Sequence, residues 1–191
     1  MSLQKDDENL FKWDSNWSQE VPNLLVGHTG LEVTQATYMS PIRADTGYTT
    51  GKHVWRMVYT RGEHVKIGIC TDQANKNKQL GSDSNGWCLY LYNGQLRAGS
   101  SSGGNEFSSK YSPGTIIRVE LDLDSTPRTL SFTLADDKGG TGEVKKAFDL
   151  PAAEGTKYYP AMALQHTVYI PLSLSLSFCL PVSLSLYKYM S

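Results

Sequence analysis

From residue 31 to residue 164 the chain runs in short segments rich in β-branched and aromatic residues, and no window carries a convincing 3.6-residue apolar period. Strands are expected near Leu31–Thr37, His53–Thr60, Val65–Thr71, Trp87–Tyr92, Gln95–Ala98, Thr115–Leu123, Thr129–Leu134, Ala147–Leu150 and Tyr159–Leu164. Turn chemistry closes them: Arg61-Gly62, Asp83-Ser84-Asn85-Gly86, Asn93-Gly94, Ser112-Pro113-Gly114 and Lys138-Gly139-Gly140. Asn93-Gly94 is the strongest hairpin signal, because both central residues of a type I′ turn take positive φ. Many short strands with almost no helix restrict the chain to an all-β sandwich or barrel.

Alternation identifies the faces. Val119, Leu121 and Leu123 point one way and Glu120, Asp122 and Asp124 the other. Leu130, Phe132 and Leu134 resume the apolar face after a turn at Ser125–Arg128, which makes a hairpin with a dry side and an acidic side. The acidic row has a catalytic reading. Jelly-roll glycosidases place a nucleophile and a general acid in such a row, with carboxyl groups about 5–5.5 Å apart for retention. The plainer reading is a solvated face ending in a turn-capping Asp. The row runs straight into a hairpin turn, and Trp55 and Trp87 lie in expected core strands instead of beside it, so the plainer reading is preferred.

Composition narrows the function classes. The chain has 191 residues, with 18 Lys and Arg against 19 Asp and Glu, a net charge of -1. That balance argues against a nucleic-acid module, which carries a basic excess or stripe. Lys188 is the only charged residue after residue 165, so the part before it holds 17 bases against 19 acids and carries -2. Cys70, Cys88 and Cys179 are odd in number and widely spaced, so neither a disulfide framework nor structural zinc is expected. Cys70 and Cys88 sit in apolar runs and read as buried, reduced thiols. The acidic, polar start lacks the order of a signal peptide, which makes a reducing cytoplasmic setting the default.

Three regions are expected: a loose arm over residues 1–20, a domain over 21–170, and a Leu/Ser tail over 171–191. Phe11, Trp13 and Trp17 in the arm are candidates to dock on the domain. The tail has the length of a membrane span, but Ser fills alternate places and Pro171 and Pro181 interrupt it. Thr167–Leu172 fits one more strand, and the Leu-Ser repeats fit a translated CT-dinucleotide repeat. A membrane-tethered form is therefore a minor alternative. Other chemistry is not signalled. No G-x-S-x-G elbow or H-E-x-x-H pair occurs, and His28, His53, His64 and His166 are scattered. Ser101–Asn105 reads as a hairpin loop, lacking the Lys of a phosphate loop. No cofactor and no metal are expected.

Five segments, in order, resemble the SPRY domain family. They are GKHVWRMV (Gly51–Val58), RGEHVKIGICT (Arg61–Thr71), LGSDSNGWCLYL (Leu80–Leu91), GTIIRVELDLDSTPRTLSFTL (Gly114–Leu134), and KAFDLP with YYPAMALQ, the last ending at Gln165. The resemblance implies a bent antiparallel β-sandwich of the concanavalin-like jelly-roll kind. Gly51, Gly68 and Trp87 then take structural roles, and Asp122 or Asp124 caps the hairpin turn. It also implies a non-catalytic protein-interaction module, used as a substrate receptor in ubiquitin-ligase or signalling proteins, although no RING, F-box or SOCS-box segment is visible. The implied partner patch comprises Arg61, Gly62, Glu63, Lys76, Asn77, Gln79, Gln165 and His166. The SOCS-box subgroup grips Asn-rich peptides with a Tyr and a Trp where this chain has about Lys76 and His166, and its second loop is longer. The patch here is more polar, suited to an acidic or hydrogen-bonding protein or peptide partner. A monomer that binds neither nucleic acid nor membrane is expected, with a carbohydrate-binding jelly roll or glycosidase using Glu120, Asp122 and Asp124 as the alternative.

Overall fold

The computed structural model describes residues 11–19, 24–26, 33–35, 40–59, 64–99, 104–134, 143–152 and 154–165. A short helix, α1 (Ser15–Gln19), precedes β1 (Leu24–Val26), β2 (Val33–Gln35), β3 (Pro41–Arg43), β4 (Lys52–Val58), β5 (His64–Thr71) and β6 (Gly86–Tyr90). There follow β7 (Gln95–Ala98), β8 (Asn105–Glu106), β9 (Ile116–Asp122), β10 (Arg128–Leu134), β11 (Val144–Leu150) and β12 (Tyr158–Gln165). They form a four-stranded sheet in the order β11-β10-β9-β4 and a six-stranded sheet in the order β3-β12-β5-β6-β7-β8, with β1 and β2 as a separate ribbon. All pairings are antiparallel, so the all-β antiparallel sandwich is the fold. Each expected strand falls on an observed one. The sequence reading missed β1, β3 and β8, which are two or three residues long, too short for alternation to register.

The core follows from the register. Trp55 lies opposite Val119, which lies opposite Phe132. Met57 lies opposite Ile117. The six-stranded sheet supplies the buried row Ile42, Met162, Ile67, Leu89 and Leu96, each opposite the next. Phe107, just past β8, meets Phe132 edge-on at 6.2 Å between centroids and joins the two sheets. Burial of side chains this size contributes about 1.5–3 kcal/mol each.

Helix α1 starts on an Asp cap, a signal the sequence reading passed over. Asp14 Oδ1 accepts the N–H groups of Asn16 (3.0 Å) and Trp17 (3.1 Å). The aromatic residues of this segment dock on the domain. Phe11 sits edge-on to Trp55 at 6.1 Å, Trp13 bridges to Ala44, and the Trp17 indole N–H donates to the Pro41 carbonyl at 2.8 Å. Phe11, Trp13 and Trp17 are buried in the core. Residues 1–10 and the tail after Gln165 lie outside the described residues.

The hairpin at Asn93-Gly94 is present, but its loop has four residues, because Tyr90 pairs with Gln95. The expected two-residue turn fails because Leu91 is tied into the body. Its N–H donates to the Val65 carbonyl (2.9 Å), its carbonyl accepts from Tyr111 (3.0 Å), and its side chain is buried. Gly94 then closes the loop at φ 68°.

Strands β5 and β6 are buried on both faces, and Gly68 lets them approach. A Cβ there would stand 1.9 Å from the Trp87 carbonyl oxygen and 2.8 Å from Cys88 Cα, both backbone atoms. Gly68→Ala should therefore destabilise the domain by about 1–3 kcal/mol, read as a lowered urea midpoint at unchanged slope.

Candidate partner-binding face

The acidic row is structural. Arg118 holds Glu120 at 3.0 Å, and Lys52 holds Asp122 at 2.8 Å. Asp122 Oδ1 also accepts the N–H groups of Asp124 (3.1 Å) and Ser125 (3.0 Å), closing the β9–β10 turn. Burial pushes the Asp122 carboxyl up, but Lys52 and those two N–H groups outweigh it and hold the carboxyl below its ordinary value. Asp124 lies beyond β9 and accepts the Gly51 N–H at 2.7 Å, pinning the start of β4 to the same turn.

The outer face of the six-stranded sheet holds the described members of the expected patch. The 72–85 loop leaves β5 and folds back across this face. The Lys66 amine is buried beneath it and donates to Gln79 Oε1 (3.0 Å) and to the Leu80 carbonyl (3.1 Å). Burial lowers the Lys66 pKa; the Cys88 thiol opposes that and the Arg97 charge adds to it. Asn77 is exposed, its N–H donating to Asn75 Oδ1 at 2.9 Å. Lys76 lies over the Trp17 ring at 4.2 Å. Gln165 ends β12 opposite His64. Arg61, Gly62, Glu63 and His166 lie outside the described residues. Of these positions, Gln79 is linked through Lys66, which lies over the Tyr90 ring at 5.5 Å, and through the Tyr90 hydroxyl to His64 Nδ1, whose strand partner is Gln165; Lys76 and Asn77 lie apart from this chain.

The sequence reading missed the aromatic content of this face. Tyr90 and Tyr92 were read only as part of one strand, and they are two apart and share a face, Tyr90 buried and Tyr92 exposed. Their ring centroids are 5.9 Å apart, and His64 lies 6.0 Å from the first and 4.9 Å from the second. Cations lie over these rings: Arg97 over Tyr90 at 4.7 Å and Lys110 over Tyr92 at 4.9 Å. A second stack lies across the sheet, where Arg43 sits 4.3 Å from the Trp17 ring and 4.0 Å from Tyr159.

His53 is structural, stacked on Tyr48 at 3.7 Å with Nε2 donating to the Thr50 carbonyl at 2.7 Å. Burial pushes the Cys70 and Cys88 thiols up to about 12, where they are inert as nucleophiles. Among the described residues, no group of three His, Cys, Asp or Glu side chains is placed to hold a metal, and no helix is long and apolar enough to cross a membrane.

A family model of the SPRY domain matches residues 52–176, and the chain belongs to that family. Among solved structures it resembles the SPRY domain of human HERC1, with a TM-score of 0.67 and 20% sequence identity over 86% of this chain and 99% of that one. It also resembles the TRIM65 PSpry domain, with a TM-score of 0.70 and 13% identity over 88% of this chain and 94% of that one. At such identities the likeness is one of fold. SPRY domains are known as protein-interaction modules.

Two predictions follow from the buried groups. Unfolded thiols ionise near 9 and these two only at about 12, so between those values the native chain keeps protons that the unfolded chain has lost. Their contribution to stability is full below 9 and falls as pH rises above it. Urea midpoints should drop from about pH 8 to about pH 10, and less steeply in Cys70→Ala. Lys66→Met removes the ammonium that both Gln79 Oε1 and the Leu80 carbonyl accept from, leaving only the weak Cys88 thiol donor at that carbonyl, so amide exchange across residues 76–82 should quicken while β9 and β10 amides keep their protection.

Proposed function

We propose that the chain is a non-catalytic partner-recognition module. It captures a peptide or protein surface with Arg61, Gly62 and Glu63, the Lys76–Gln79 loop, and Gln165 and His166. Its role is that of a substrate receptor or adaptor in a ubiquitin-ligase or signalling assembly. The observation that carries this reading is the latch between Lys66 and the 72–85 loop. A loop already fixed in place loses little conformational freedom when a partner lands on it, and so binds more tightly for the same contacts. Buried, protonated thiols suit a reducing cytoplasm.

Affinity capture with the full chain, followed by mass spectrometry, tests the reading. Reversing the charge with Lys76→Glu should cut recovery of the specific partners while the melting temperature stays within a few degrees. Equal recovery by the two proteins would remove the loop from the binding site.

A further inference from the structure

Among the described residues, one corner of the outer face carries an exposed aromatic side chain. There β5 begins, β6 ends, and the 91–94 loop carries Tyr92. Tyr92 is 44% exposed, one of two large apolar side chains exposed among the described residues, whereas Tyr90 beside it is buried. Its ring is held from two sides, by His64 at 4.9 Å and by Lys110 at 4.9 Å. Tyr90 is fixed in turn by its hydroxyl contact to His64 and by Arg97 over its ring. The corner is therefore a rigid three-ring platform.

Its charge is positive. Lys110, Arg97 and Lys66 each lie within 4.7 to 5.5 Å of a ring centroid of the platform. The described carboxylate on the same rows is that of Glu106, which lies opposite Gln95 at the sheet edge. Among the described residues Lys110 is in no ion pair. A local cationic excess on a chain of net charge -1 is too small to follow a polyanion, whose binding needs many phosphate contacts along a basic stripe. It is sufficient for one or two carboxylates. A fixed, half-exposed tyrosine is also the kind of anchor that concentrates binding energy in protein interfaces.

We infer that this corner anchors an acidic linear peptide, with a carboxylate at Lys110 and a neighbouring proline or aromatic side chain laid flat on Tyr92. The inference rests on the reading of this face as the partner site and names the chemistry of that partner.

Selection of a random dodecapeptide phage library on the full chain tests it. Enriched peptides should carry Asp or Glu beside a proline or aromatic residue. A synthetic enriched peptide, followed by fluorescence anisotropy, should bind Tyr92→Ala and Lys110→Glu at least about tenfold more weakly than the parent. Lys146→Glu, on the other sheet, should leave binding unchanged, and circular dichroism should show all three variants folded. Enriched peptides without an acidic excess, or acidic peptides indifferent to Tyr92→Ala and Lys110→Glu, would overturn the inference. So would tighter binding of a thymidine oligonucleotide at the same two residues, since bases stack on the same rings. Peptides that depend on Lys76 but not on Tyr92 would keep the face as the partner site and reject this anchor. No enrichment at all would count against both.

Discussion

The central strand of the six-stranded sheet is buried on both faces, and much of the molecule follows from that. The other sheet can cover only the inner face, where Val65, Ile67 and Ile69 lie. Something else must cover Lys66, Gly68 and Cys70. The 72–85 loop does so, and because it carries backbone polar groups onto a sheet it needs donors there. Lys66 provides them, giving its ammonium to Gln79 and to the Leu80 carbonyl. Holding a cation in this position costs solvation, which is why its pKa falls, and the hydrogen bonds and the Tyr90 ring offset that cost. The loop and the lysine explain each other.

The same face is tied to the N-terminal segment by stacked cations and rings. Lys76, Trp17, Arg43, Tyr159 and Lys157 alternate, with ring-to-cation distances of 4.2, 4.3, 4.0 and 5.5 Å. Arg43 also pairs with Asp14 at 3.6 Å, on the residue that caps α1. Each contact contributes about 0.5–2 kcal/mol, more where water is excluded. The outer members are more exposed than Arg43, so the strength sits in the middle. One consequence is that the Lys76 end of the loop and the helix share an anchor. A partner that draws Lys76 away also releases a cation from Trp17.

The fold was readable because period-two alternation is a property of neighbours in sequence. Val119, Leu121, Leu130 and Phe132 declared a face and kept it. That Asp122 or Asp124 would cap the hairpin turn was readable from their place in it, and Asp122 does so. The site was much less so. Tyr90 and Tyr92 could not be assigned to a face from the sequence, because β6 is buried on both faces and alternation carries no information there. Nothing near Lys66 in the sequence marks it for burial, because what covers it lies 13 and 14 residues further along the chain. Trp17 was expected to dock, yet nothing nearby in the sequence indicated that Arg43 and Lys76 would meet it. Long-range partners decide these positions, and local pattern does not record them.

Side-chain size along the outer face separates what the chain covers itself from what it leaves open. Under the loop the sheet presents Gly68, Cys70, Gly86 and Cys88. A Cβ on Gly86 would lie 2.9 Å from Leu80 Cδ1. The small residues thus form a trough into which Leu80 settles, 2% exposed, with its carbonyl 3.3 Å from Cys88 Sγ. Beyond Lys66 the residues turn large: Tyr90, His64, then Tyr92. A loop cannot seat on those rings as it seats in the trough, because the volume it would occupy is already filled. A chain selected only for stability has little reason to leave a tyrosine ring half in water beside a lysine when a smaller polar residue would serve at that position. The change from small to large along one sheet face therefore marks where, among the described residues, the packing of the 72–85 loop on the sheet ends.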